Sequence, residues 1–177
     1  SSIIMKLSLI FLSIKSVPKT SWSSDTPLNF KPKLKTFLLL CIGLSFFGFG
    51  ESLLIHSTIG VSPWTVLAEG LSIKLNWSVG FATFIVSVLV LSSWILLKQK
   101  PGIGTLLNII IIAGMIDISL FFFDFSTNIF FVNILTGILG VLFVGVGSGI
   151  YLIANLGPGP RDGLMTGLQN KTKLPIA

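Results

Sequence analysis

Two carboxylic acids, Glu51 and Asp117, sit inside long apolar runs of this sequence, and an adjacent Arg161–Asp162 pair directly follows another. A charge is expensive in an apolar environment, so such residues mark candidate sites. Two carboxyl groups at similar depth can share a proton or a cation, which makes Asp117 and Glu51 the candidate coupling residues. The structural alternative for each is a carboxyl hydrogen-bonded to Ser or Asn. The Arg161 guanidinium offers five donors in a fixed fork, suited to clamping an anionic group or free backbone carbonyls. The plainer reading of Arg161 and Asp162 is an internal pair that pins a turn. His56 reads as a structural residue near a water interface, and Cys41 as a small packing residue. There is no catalytic signature: no Walker loop, no paired-histidine motif, no Gly-x-Ser-x-Gly elbow. One histidine and one cysteine argue against a soft-ligand metal site. Neither a metal nor a cofactor is expected, nor is enzymatic activity.

The elements that must position these residues are apolar helices with breaks. Gly157-Pro158-Gly159-Pro160-Arg161-Asp162-Gly163 interrupts one apolar run, and Gly60-Val61-Ser62-Pro63-Trp64 interrupts an earlier one. The two breaks align at a constant offset of 97 residues. At that offset Gly48 and Gly50 fall on Gly145 and Gly147, Leu67 on Leu164, and Gly70-Leu71 on Gly167-Leu168. The chain reads as a duplication whose unit is a broken apolar helix. The prolines of the second break remove the amide donors a phosphate-binding loop needs. Gly60, Pro63, Trp64, Gly157, Gly159, Pro160, Arg161 and Asp162 are therefore candidates for substrate binding or gating at broken helices.

Composition sets the environment. Of 177 residues, 52% are hydrophobic and 10% charged, against about 25% charged in soluble domains. This predicts an all-α, polytopic membrane protein. The expected spans are Phe37–Ser57, Ser78–Leu97, Thr105–Phe123 and Ile129–Asn155, each near the roughly 20 residues a bilayer requires. Residues 1–36 read as a flexible cytoplasmic tail, with a short apolar patch at Leu7–Ile14. Residues 37–177 read as the transmembrane domain, with repeat one over about 37–123 and an incomplete repeat two over about 129–177. Leu174-Pro175-Ile176-Ala177 lacks any counterpart of the second and third spans after it, so the sequence reads as a C-terminally shortened fragment.

The net charge of +6 is not a nucleic-acid signature, because no basic stripe interleaved with aromatics is present. Lys6, Lys15, Lys19, Lys31, Lys33 and Lys35 precede the first span. Lys98 and Lys100 lie between the second and third, and Arg161, Lys171 and Lys173 follow the fourth. The positive-inside rule puts those segments, including the N-terminus, in the cytoplasm. Three spans separate the starts of the two copies, so the copies would run oppositely through the bilayer. That arrangement is an inverted-topology repeat with broken, re-entrant helices, as transporters often have.

The motifs around the breaks, with Pro101-Gly102-Ile103-Gly104-Thr105 and Gly163-Leu164-Met165, resemble the YczE-type bacterial integral membrane proteins, which are grouped loosely with YitT-type proteins. The resemblance covers about Leu38 to the end. It implies a multi-span protein of the bacterial cytoplasmic membrane. Members of that family often carry an acidic residue after the first Pro-Trp, where this chain has Thr65. The function expected is a small-molecule or ion permease with substrate near the breaks. The alternative is a non-transporting membrane protein that assists or regulates a partner system. The expected partners are the lipid bilayer and an unidentified small molecule or ion. A homo-oligomer or a membrane partner protein is also compatible with the sequence.

Overall fold

The structure, a computed structural model, describes residues 17–172. The apolar patch at Leu7–Ile14 and the chain end from Lys173 lie outside the described residues. Within them the chain forms six helices and no strand: α1 Leu34–Ser57, α2 Pro63–Leu75, α3 Val79–Leu97, α4 Ile103–Phe122, α5 Phe130–Ala154 and α6 Pro160–Thr172. Four of these, α1, α3, α4 and α5, are long and apolar enough to cross a membrane. The shortest of the four has 19 residues, about 28 Å at helical rise, close to the hydrocarbon thickness of a bilayer.

The two breaks have local causes. α1 ends when Thr58 turns left-handed at φ 55°, and α5 ends when Asn155 does the same at φ 53°. Each break then closes with a proline at the first helical position, Pro63 in α2 and Pro160 in α6. There its missing N–H costs nothing, because first-turn amides have no helical partner. Ser62 caps α2 by accepting from the Thr65 amide at 3.2 Å. Both pairs, Thr58 with Asn155 and Pro63 with Pro160, stand 97 residues apart.

α1 makes its most extensive interface with α5 and the next with α4; α4 packs on α3, and α3 on α6. The α1–α5 contact is a seam of main chain on main chain. A Cβ placed on Gly50 would meet the Gly140 carbonyl oxygen at 2.7 Å, and one on Gly147 would meet the Gly43 carbonyl oxygen at 2.5 Å. Gly43 thus faces Gly147 while Gly50 faces Gly140, so the two helices run antiparallel. The offset of 97 carries Gly43 to Gly140 and Gly50 to Gly147, which exchanges one contact for the other. Small residues permit this approach where lipid supplies no hydrophobic drive between helices. The offset pairs are not all alike. A Cβ on Gly48 would meet Met115 Cβ of α4 at 2.7 Å, whereas Gly145 has nothing within 4 Å among the described residues.

The buried core joins Leu40, Leu44, Ile112, Ile116, Tyr151, Ala154 and Leu156. Away from it, Phe131, Leu135, Leu139, Leu142 and Val146 of α5 are exposed, as a lipid-facing surface requires.

Among the described residues before α1, several are hydrogen-bonded to the bundle. The Ser24 amide donates to the Ala154 carbonyl at 2.9 Å, and the Asn155 side-chain amide donates to the Ser24 carbonyl at 2.9 Å. The Thr36 hydroxyl donates to the Trp22 carbonyl. The first of these satisfies the Ala154 carbonyl at the end of α5, which has no helical partner.

Candidate functional site

A cavity of about 60 Å³ opens where both breaks meet the bundle. α2 brings Trp64 and Thr65 to it, and the start of α6 brings Gly159, Pro160, Arg161 and Asp162. α1 contributes Phe47 and Glu51, α3 Thr83 and Ser87, α4 Asn108, and α5 Tyr151.

Glu51 is buried, and the Thr65 hydroxyl donates to its Oε2 at 2.7 Å. Thr65 is placed by the capped first turn of α2, and its hydroxyl oxygen lies 2.9 Å from that of Ser62. Since Thr65 donates to Glu51, Ser62 donates to Thr65, giving a short relay from helix cap to carboxylate. On the opposite wall the Tyr151 hydroxyl donates to Asp162 Oδ2. Arg161 Nε stands 3.9 Å from Asp162 Oδ1, and the arginine is largely solvent-facing. This is an ion-pair distance rather than a hydrogen bond.

The second break is fastened from three directions. The Thr105 hydroxyl donates to the Pro158 carbonyl at 2.6 Å, the Trp94 indole N–H to the Pro160 carbonyl at 3.0 Å, and the Gly104 amide to the Leu156 carbonyl at 2.8 Å. Gly157 takes φ 115°, a conformation open mainly to glycine. Gly163 lies against the Trp94 ring so closely that an added Cβ would overlap it. The Pro101–Thr105 segment therefore serves as the seat of the break.

Of the residues expected at the site, Glu51, Trp64, Gly159, Pro160, Arg161 and Asp162 line the cavity. Gly60 and Pro63 do not. Gly60 borders an apolar hollow between α1 and α5 with Leu54 and Gly137, and Pro63 only starts α2. Gly157 borders a separate hollow with Val17, Pro18 and Pro27.

Asp117 lies outside the Glu51 cavity. Its Oδ2 accepts from the Ser78 hydroxyl at 2.6 Å and its Oδ1 from the Gly80 amide at 2.7 Å. It thus caps the start of α3, where an anion also suits the helix dipole. Equal depth along two helices did not imply one cavity, because the two carboxyls leave their helices in different directions.

His56 is buried, donates through Nδ1 to the Ser52 carbonyl at 2.9 Å and meets Phe125 edge to face, a structural set of contacts. Outside the spans, the Ser126 backbone N–H holds the Asp124 carboxyl below the usual carboxylate range, and burial pushes Glu69 of α2 above it.

Sequence reasoning missed Tyr151, Asn108, Thr83, Ser87 and Thr65 as cavity residues. A search confined to ionisable groups passes over neutral polar side chains. Tyr151 is the single tyrosine of the chain, and Asn108 is an amide within an apolar span. Both were available as signals.

Six helices without strands among the described residues, four of them of membrane-spanning length, and a polar cavity between them define an all-helical membrane protein. The chain belongs to the DUF6198 family, a family of unknown function whose pattern matches residues 34–177. It is 39% identical over 163 residues to an "Uncharacterized protein" of Haemophilus influenzae, covering 92% of this chain and 73% of that one. It is 36% identical over 135 residues to the "Uncharacterized membrane protein YczE" of Bacillus subtilis, covering 73% of this chain and 61% of the relative. The B. subtilis "Uncharacterized protein YyaS" is 31% identical over 140 residues, which are 76% of this chain and 69% of that relative. No solved structure matches the chain. The YczE-type resemblance read from the break motifs agrees with the family match.

Proposed function

We propose that the protein is a small-molecule or ion permease of the bacterial cytoplasmic membrane, with its substrate held in the Glu51 cavity. The observation that carries this reading is that both helix breaks end at one cavity that also holds a buried carboxylate. Broken helices turned toward a midplane site are a recurrent transporter device. In this reading the duplication is an inverted-topology repeat. The antiparallel α1–α5 seam and the recurrence of caps and prolines at an offset of 97 residues support it. The N-terminus and the 98–104 loop face the cytoplasm, and the protein is not an enzyme.

Two experiments test the proposal. Proteoliposomes containing the protein are screened for uptake of a panel of small solutes and ions, and at least one should accumulate in a protein-dependent way. Cysteines placed at Thr127 and Lys98 should label from opposite sides of the membrane. Labelling from one side would remove the inverted repeat. Absence of any uptake, with one stable membrane partner co-purifying, would instead favour a protein that assists a partner system.

A further inference from the structure

Several polar groups in the cavity have no protein partner. Glu51, Ser87 and Asn108 are 5%, 8% and 9% exposed. Glu51 Oε2 is taken by Thr65, while Oε1 accepts no hydrogen bond from the described residues. Neither the Ser87 hydroxyl nor the Asn108 side-chain amide makes one, although all three residues line the cavity. The fully buried polar atoms without a partner among the described residues, Ser119 Oγ and Asn133 Oδ1, do not belong to lining residues. The three lining groups instead reach the cavity space, so whatever partners them must come from within it. Three on one small cavity point to an occupant.

The charge of the lining selects its sign. Two carboxylates, Glu51 and Asp162, face one guanidinium, Arg161, which leaves one negative charge uncompensated. A net charge in a low-dielectric setting calls for a counter-charge. The size of the cavity limits the choice. About 60 Å³ is room for a few waters, since one needs roughly 10–15 Å³ by the same measure, which suits a small ligand. Among the described residues no group of three or more His, Cys, Asp or Glu could hold a metal ion, so the donor set is poor for a divalent ion, which favours several carboxylates.

We propose that this cavity binds one monovalent cation, held by Glu51 Oε1, the Asn108 side-chain oxygen and the Ser87 hydroxyl, with the Asp162 carboxylate as a neighbouring negative charge. The shared chemistry is a single positive charge of small radius, either an inorganic ion such as sodium or the ammonium head of a primary amine. The inference rests on the permease reading for the role of the site, but binding is measurable without transport.

The test uses the full chain purified in detergent at constant pH and ionic strength. Its melting temperature is followed as N-methylglucamine chloride is replaced by sodium, potassium, ammonium or methylammonium chloride. At least one should raise the midpoint by several degrees and saturate. Sodium alone would identify an inorganic site, and ammonium with methylammonium an amine site. Glu51→Gln should abolish the shift. Should that variant fail to fold, Arg161→Gln decides. Its side chain is 46% exposed, and its loss leaves two uncompensated charges, so the half-saturating cation concentration should fall several-fold. Equal midpoints in all salts, a shift only with divalent ions, or a midpoint that follows pH with no cation dependence would overturn the proposal. A cation-specific shift without flux in proteoliposomes would leave the site standing and remove the permease.

Discussion

The Tyr151 phenol donates a hydrogen bond to the Asp162 carboxylate, tying the last turn of α5 to the first turn of α6 across the break between them. Nothing in the four residues from Leu156 to Gly159 could hold that angle alone, since two are glycines and one is proline. Tyr151→Phe removes the bond and leaves the ring. It should lower stability by about 1.5–3 kcal/mol, the range for a hydrogen bond to a charged group. A double-mutant cycle with Asp162→Asn, read by thermal melting, should be strongly non-additive. Additive losses would mean that the two groups act independently.

A second test concerns the caps of the two long helices. Thr58 sits in the left-handed region at φ 55°, where its counterpart is Asn155 at φ 53°. A β-branched residue is strained there, whereas asparagine enters the region readily. Thr58 is exposed, so exchange should disturb no packing. Thr58→Asn should therefore raise stability by about 1 kcal/mol, in line with the cost of a left-handed non-glycine residue. An unchanged or lowered melting midpoint would refute the strain.

The glycine seam predicts a contrast within one helix. Gly147→Leu would drive a side chain into the main chain of α1, which cannot move aside as a rotamer can. It should cost more than about 3 kcal/mol, the upper end for overpacking, and show as loss of monodisperse protein on size exclusion. Gly145→Leu, two residues away and facing open space, should leave the elution profile unchanged.

Asp117 now has a structural task that can be separated from chemistry. Asp117→Ala leaves the Gly80 amide without its acceptor and should cost about 1–2 kcal/mol, as lost helix caps do. The same variant should retain the cation-dependent midpoint shift, because Asp117 is outside the Glu51 cavity. Loss of that shift in folded protein would bring Asp117 back as a functional residue.

What was legible in the sequence followed from local physics. Runs of apolar residues placed all four long helices within three residues of their ends. Proline fixes its own φ and lacks an amide, so Pro63 and Pro160 announced new helices. Illegible were the meetings of residues distant in sequence. Asp117 reaches Gly80 across 37 positions and Asn155 reaches Ser24 across 131. The docking of the segment before α1 was hidden for the same reason: its polar composition suits a free tail equally well. At the site, charge pointed to Glu51, Arg161 and Asp162, while the neutral groups that complete the cavity had no comparable cost to betray them.

The α1–α5 seam has a mechanical consequence. Its two contacts lie seven residues apart on each helix, about 10 Å or two turns. Beside the backbone contacts, each of two glycines is also a socket: Ile150 of α5 sits over Gly43, and Leu54 of α1 sits over Gly140. Interdigitated interfaces resist displacement because each step must lift a side chain over a ridge. Sliding α1 along α5 must therefore lift Ile150 and Leu54 out of their sockets together. Tilting is opposed by the flanking rings, where Phe46 and Phe49 meet Phe143 edge to face with centroids 5.5 and 5.1 Å apart. The seam is keyed like a lock, with one tooth supplied by each helix.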